Sequence, residues 1–182
     1  MDTGAKLEVI DHQVIDNWHP HADLIRAEAL QMPFDVAGNY PGLRTEPYTL
    51  LRDTAYDFFN RIGYFVQQWP YEYNGAFQIC TAAASTWVHS DATGWAAVWF
   101  LTPGELCPDG HGIVFYRHKE TGYLTCFGRQ DPPQDEFEQA HFVEGLFNRL
   151  LIYDARHFHA SAIAGFGDSV ETGRLTATFF WS

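Results

Sequence analysis

Cysteine is scarce in this chain, which has three cysteines among its 182 residues, Cys80, Cys107 and Cys126. Their number is odd and no two of them are spaced as CxxC, so they provide neither a disulfide framework nor a zinc knuckle. The first residues carry charges instead of an apolar signal core. The longest apolar run, residues 95–101, is too short to span a bilayer. We therefore expect a cytoplasmic protein without a membrane partner.

Positive charge is scarce as well, with 11 lysines and arginines against 23 acidic residues and a formal net charge of -12. Such a surface repels phosphate backbones, which argues against nucleic acid as a partner. The same charge favours a neutral or basic substrate. The chain also lacks HExxH, GxSxG and P-loop sequences, which argues against a zinc hydrolase of that type and against the corresponding nucleophile and phosphate-binding enzymes.

Aromatic residues, in contrast, are abundant: the chain has 15 Phe, 9 Tyr and 6 Trp. Aromatic side chains favour strands and bring large areas to a core or a pocket. Apolar spacing predicts two helices, at residues 21–31 and 49–62. After them, aromatic and β-branched runs predict strands at residues 64–68, 77–82, 95–101, 113–117, 149–153 and 175–181.

The chain length suits a single domain with a sizeable core. No repeat or linker divides it, so we predict one domain over residues 1–182, with helical support in 1–70 and a β core in 71–182. Short strands that follow helices predict a mainly β fold, a double-stranded β-helix (jelly roll) with supporting N-terminal helices.

The clearest metal-binding pattern is His89-Ser90-Asp91, which follows a predicted strand end near Trp87 and Val88. Alternate residues of an extended chain point the same way. His89 and Asp91 can therefore present an imidazole and a carboxylate to one ion. A third ligand from a distant strand would complete the facial triad of a non-haem iron site.

Two histidines, His157 and His159, follow the predicted strand at 149–153 and are candidates for that third ligand. They lie two residues apart, so both could face one side of an extended segment. We favour His159 because it directly precedes the small pair Ala160 and Ser161, which lets a backbone approach closely.

The last predicted strand begins with Arg174-Leu175-Thr176. Arg174 and Thr176 share one face of that strand. The arginine fork matches a carboxylate and often binds it through two charge-assisted hydrogen bonds. This pair therefore predicts a carboxylate site.

In their order along the chain, these parts resemble the 2-oxoglutarate/Fe(II)-dependent oxygenase superfamily, specifically its prolyl-hydroxylase-like branch of small bacterial members. The resemblance covers roughly residues 71–182. It is carried by the strand leading into HxD at 77–91, AAVWFLTP at 96–103, DGHGIVFY at 109–116, the distal histidine segment at 148–161 and the closing strand at 174–181.

The resemblance implies a metal site and a cosubstrate site. His89, Asp91 and His159 would hold Fe(II), and Arg174, helped by Thr176, would hold the far carboxylate of 2-oxoglutarate, with O2 as the second cosubstrate. The implied reaction is hydroxylation of a C–H bond in a peptide, an amino acid or a small natural product. Halogenating relatives replace the carboxylate ligand with a small residue, so Asp91 argues against halogenation.

Two departures from the family pattern concern the cosubstrate pocket. Gln78 and Trp99 occupy strand positions where the family often has a cosubstrate-binding tyrosine, and Tyr116 is a further candidate for the pocket. Arg174 follows His159 by 15 residues (174 − 159), which is more than is usual. Residues 166–173 must therefore loop out.

Candidates for orienting the two imidazoles are Ser90, Asn148 and Asp154. Two alternatives to the oxygenase stay open. One is a catalytically inactive jelly-roll binding module. The other is a cupin-like metal enzyme that uses His157, His159 and His89 without 2-oxoglutarate, although no suitably spaced glutamate follows that HxH. Nothing in the sequence indicates the oligomeric state.

Overall fold

Two antiparallel sheets form the framework of the protein in a computed structural model that describes residues 9–126 and 133–182. The strands in chain order are β1 (His12–Ile15), β2 (Leu43–Arg44), β3 (Phe77–Cys80), β4 (Trp95–Phe100), β5 (Gly112–His118), β6 (Phe137–Glu144), β7 (Leu150–Asp154), β8 (His159–Ser161) and β9 (Arg174–Trp181). The larger sheet has the order β1-β7-β4-β9-β3-β2 and the smaller one β6-β5-β8. The predicted mainly β fold is confirmed.

Two helices, α1 (Ala22–Ala29) and α2 (Thr49–Arg61), cover one face of the larger sheet. The buried residues of α2, Leu51, Ala55 and Phe59, recur at intervals of four and so form one apolar stripe. Both helices were predicted, and the structure ends each of them slightly earlier than the apolar pattern suggests. Neither helix in the described part of the chain is long and apolar enough to cross a membrane.

Strand β9 shows how the sequence separates the two faces of the larger sheet. Its odd-numbered residues from Leu175 to Trp181 belong to the core under the helices. Its even-numbered residues from Arg174 to Phe180 line a cavity on the opposite face. Successive side chains of a strand point to opposite faces. Both faces of β9 are largely buried, and the face toward the cavity is partly polar.

The predicted division into helical support and β core differs from the structure. Residues before 70 also supply β1, which pairs with β7, and β2, which pairs with β3. These two strands are the edge strands of the larger sheet. The N-terminal part therefore builds the same sheet as the rest of the chain.

The predicted strand at residues 64–68 is wrong. Phe65 has a positive φ of 48°, which interrupts an extended run. The backbone N–H groups of Gln67 and Gln68 both donate to the carbonyl oxygen of Ser182, at 2.8 and 2.7 Å. The segment thus holds the C-terminal end of β9 without pairing as a strand.

Candidate metal centre and its cavity

His89 and His159 are direct cross-strand partners. The N–H of His89 donates to the carbonyl of His159 at 3.1 Å, and the N–H of His159 donates to the carbonyl of His89 at 2.8 Å. Residues opposed in this way project their side chains on the same side, and the two ring centroids lie 4.4 Å apart. The segment before His89 is irregular, so the predicted strand leading into HxD is replaced by this single bridge.

Asp91 lies beside both imidazoles. Its N–H donates to the carbonyl of Ala155 at 2.8 Å, which fixes its backbone. Its two carboxylate oxygens lie 3.9 Å from His89 Nε2 and 3.6 Å from His159 Nε2. In the described residues these three are the group whose ligand atoms could hold a metal, all within 4.8 Å of one another.

The protonation of the two rings follows from their other nitrogens. His89 Nδ1 lies 3.1 Å from the carbonyl oxygen of Trp87, and His159 Nδ1 lies 2.8 Å from that of His157. A carbonyl only accepts hydrogen bonds, so in each ring Nδ1 carries the proton. Nε2 is then unprotonated and lies on the side of Asp91. This is the tautomer in which a histidine binds a metal ion through Nε2.

Burial lowers the pKa of the His159 imidazole to about 4, and the neighbouring His89 acts in the same direction. His159 is therefore neutral at neutral pH, which is the form that binds a metal. Burial also raises the pKa of the Tyr153 phenol far above its usual value. Its ring lies 4.9 Å from that of His159 and forms a neutral wall of the site.

The imidazole of His157 has a backbone hydrogen-bond partner. Its Nε2 accepts a hydrogen bond from the backbone N–H of Asp11 at 3.0 Å. Its backbone carbonyl holds His159 Nδ1. In the described residues, the group of ligand atoms that could hold a metal includes His159 and not His157.

Arg174 and Thr176 lie where β9 meets β3, opposite Cys80 and Gln78 respectively. Arg174 is 4% exposed. Its Nε donates to the carbonyl of Ala164 at 2.9 Å and its Nη2 to Cys80 Sγ at 3.2 Å. Arg174, Thr176 and Gln78 all line the cavity that contains His89, Asp91 and His159.

The long connection between His159 and Arg174 folds into a compact turn. Thr172 Oγ1 accepts hydrogen bonds from the backbone N–H groups of Asp168 and Ser169, both at 3.2 Å. Gly167 has φ +66°, and a Cβ there would collide with the backbone of Thr172. As predicted, residues 166–173 loop out and Arg174 still begins the strand.

Two predicted cosubstrate residues lie outside the cavity. Trp99 is fully buried under the helices, where its Nε1 donates to Asn148 Oδ1 at 3.1 Å. Its neighbour Val98 lines the cavity instead, because alternate residues of β4 face opposite ways. Tyr116 follows a register shift in β5 and packs on a separate apolar cluster with Phe158.

Two of the residues proposed to orient the imidazoles have different partners. Asn148 accepts the N–H of His19 and donates to its carbonyl, which anchors the chain ahead of α1. Asp154 accepts hydrogen bonds from Arg156. Ser90 is fully buried. The groups that hold the rings are backbone carbonyls, which no residue type in the sequence could reveal.

The cavity measures about 380 Å³, which is within the usual range for small-molecule sites. It contains an arginine that sequence reasoning missed as a site residue, Arg44 on β2. Arg44 is 9% exposed. Burial lowers the pKa of its guanidinium, which nevertheless stays charged at neutral pH.

A family model described as a family of unknown function, DUF6445, matches residues 130–181. No curated protein matches the sequence.

Three solved structures have a similar fold. A prolyl-4-hydroxylase of Pseudomonas putida has a TM-score of 0.53 at 16% identity, over 95% of this chain and 93% of that one. A prolyl hydroxylase of Trichoplax adhaerens, solved with a peptide of hypoxia inducible factor, has 0.54 at 12%, over 97% and 85%. HygX of Streptomyces hygroscopicus, solved with nickel, 2-oxoglutarate and hygromycin B, has 0.57 at 10%, over 93% and 82%. The chain therefore shares its fold with these two prolyl hydroxylases and with HygX.

Proposed function

We propose that the protein is an Fe(II)- and 2-oxoglutarate-dependent dioxygenase that hydroxylates a C–H bond, built as a single jelly-roll domain of the prolyl-hydroxylase-like branch. His89, Asp91 and His159 would hold the metal, and Arg174 with Thr176 would hold the cosubstrate. The carrying observation is the pairing of His89 with His159, with both Nε2 atoms turned toward Asp91. Two imidazoles and one carboxylate are the donor set of the non-haem Fe(II) oxygenases.

The two histidines are already oriented to bind a metal ion. Each imidazole has its Nδ1 held by a backbone carbonyl, so little reorientation is required when Nε2 binds an ion. Bound Fe(II) with 2-oxoglutarate and O2 would supply the C–H oxidation, with succinate and carbon dioxide as the other products. Arg174 orients the cosubstrate through its far carboxylate, and Gln78 beside Thr176 contributes a polar wall.

The two alternatives fit less well. A cupin-like site would need His157, but His157 Nε2 already accepts the N–H of Asp11. An inactive binding module would have no requirement for two rings held in the metal-binding tautomer. The family resemblance implies a peptide, an amino acid or a small natural product as substrate. Two of the similar structures were solved with a peptide of hypoxia inducible factor and with hygromycin B, respectively.

The test is anaerobic titration of the purified protein with Fe(II) and then 2-oxoglutarate, followed by visible absorption. Chelation of ferrous iron by the cosubstrate is expected to give a weak charge-transfer band. His89→Ala should abolish the band because a ligand is lost. Arg174→Gln should raise the 2-oxoglutarate concentration that gives half of the maximal band by at least about tenfold. This factor corresponds to the loss of one charged hydrogen bond.

Arg149→Gln is the matched control, because Arg149 pairs with Asp16 outside the cavity. Iron binding without the band would favour a metal enzyme that does not use 2-oxoglutarate. Absence of iron binding would favour the inactive module.

A further inference from the structure

The cavity contains two buried arginines, and the proposed function uses only one of them. Arg174 and Arg44 both line it. In the described residues, no carboxylate lies within salt-bridge distance of either guanidinium. A buried charge without an opposite charge beside it is costly. Such a charge at a cavity wall is typical of a site that receives an anion.

Arg44 is held in place by its neighbours. Its Nε and Nη2 both donate to Gln78 Oε1, at 3.2 and 3.0 Å. Its guanidinium carbon lies 3.8 Å from the centroid of the Tyr40 ring. Its Nη1 makes no hydrogen bond to the part of the chain that the structure describes. The arginine is thus oriented in advance and keeps a donor for a ligand.

The turn that carries Arg44 is built to pack closely on β3. Gly42 has φ +71°, and a Cβ at this position would collide with the backbone oxygen of Ile79. Glycine adopts this conformation without strain. Gln78 Nε2 donates to the carbonyl of Pro41 at 2.6 Å, so the same glutamine fixes both the turn and the arginine.

Charge balance separates the roles of the two arginines. The two guanidiniums and a divalent ion supply four positive charges. Asp91 and a doubly charged 2-oxoglutarate supply three negative charges. One positive charge is left over, and if Arg174 holds the cosubstrate, the remaining charge lies at Arg44. A single further carboxylate would neutralise it.

We propose that Arg44 binds the carboxylate of the substrate, and that the substrate is a small monocarboxylic acid with an apolar body. The proposal rests on the proposed function for the assignment of Arg174 to the cosubstrate. The apolar body fits the other lining residues, which include Trp87, Val98, Ile113 and Phe180. A cavity of about 380 Å³, shared with a cosubstrate, limits the size of that body. The negative surface charge, which favours neutral or basic ligands, does not extend to this wall.

The test uses the full chain loaded with Zn(II) and 2-oxoglutarate. With Zn(II) in place of Fe(II), the protein is expected to bind ligands without turning them over. Hexanoate, phenylacetate and indole-3-acetate are titrated by calorimetry beside their primary amides, which differ in charge and little in size. At least one acid should bind at least about tenfold more tightly than its amide, since the acid adds a charged hydrogen bond. Arg44→Gln should abolish this preference, Arg44→Lys should retain part of it, and Arg149→Gln should leave it unchanged.

Two results would overturn the proposal. The first is that no acid is preferred over its amide by the wild-type protein. The second is that Arg44→Gln keeps the preference. If that variant also loses 2-oxoglutarate binding, Arg44 is the cosubstrate anchor. Failure of the proposed function has a different signature. The wild-type protein would then bind no 2-oxoglutarate, while an acid preference that depends on Arg44 would still support this site.

Discussion

The two faces of the larger sheet differ in what they contribute. On the helix side, β9 places Leu175, Ala177, Phe179 and Trp181 in a continuous aromatic and aliphatic core. On the cavity side, the intervening residues are Arg174, Thr176, Thr178 and Phe180. A single strand therefore supplies stability with one set of side chains and a polar site with the other. The period of two allows the two roles to be altered independently.

The largest effect on the free energy of unfolding is expected from a substitution at Phe179, on the face of β9 that packs under the helices. This ring is fully buried, with centroids 5.8 Å from Phe59 and 6.2 Å from Trp69. Phe179→Ala should lower the free energy of unfolding by about 3–5 kcal/mol, through lost burial and the cavity left behind. Urea unfolding followed by tryptophan fluorescence measures it.

The adjacent Phe180 is a matched control, because it is the same residue on the opposite face. Phe180 is partly exposed to the cavity, so Phe180→Ala should cost less than half as much. Equal losses for the two variants would show that the faces are not energetically distinct.

The second effect concerns pH and belongs to the cavity, to which His159 contributes from β8 of the smaller sheet. The pKa of His159 falls from 6.5 to about 4 on folding of the metal-free protein. Below pH 6.5 the His159 imidazole is protonated in the unfolded state and still neutral in the folded state. The free energy of unfolding therefore decreases as pH falls from about 6.5 to 4. Above 6.5 this contribution is fully present, and its size is ~3 kcal/mol.

The measurement compares the free energy of unfolding at pH 7.5 and pH 5 for the metal-free wild type and for His159→Gln. Glutamine does not titrate, so the variant should lose less stability between the two values. Phe179→Ala, although less stable throughout, should keep the wild-type pH dependence. If His159→Gln and the wild type lose the same amount, the imidazole is not the group responsible.

The same comparison of faces explains what could be predicted from sequence. The alternation in β9 indicated correctly that Arg174 and Thr176 share a face, and the order of HxD and distal histidine indicated residues that the structure brings together. Trp99 was misplaced because its face depends on register. It pairs with Ala177, a residue of the helix side, and cross-strand partners share a face.

Arg44 was missed for a different reason. It lies on a strand of two residues, Leu43–Arg44, which shows no alternation of its own. Its position in the cavity depends on pairing with Gln78, 34 residues away. Local patterns predict elements and their faces, but a contact of this range depends on how the edge strand pairs.

The smallest effect is expected at Thr178, a residue on the cavity face of β9. Its buried Oγ1 has no hydrogen-bond partner in the described residues, and a buried hydroxyl without a partner is unfavourable. Thr178→Val keeps the shape and the β-branch, so we expect a gain of up to about 1 kcal/mol in the free energy of unfolding.

Thr102 provides the contrast, because its Oγ1 donates to the carbonyl of Gly173 and accepts the N–H of Leu175. Thr102→Val should therefore cost about 1–3 kcal/mol by leaving those groups unpaired. A loss at Thr178 as large as that at Thr102 would mean that the cavity supplies the Thr178 hydroxyl with a partner of its own, such as water.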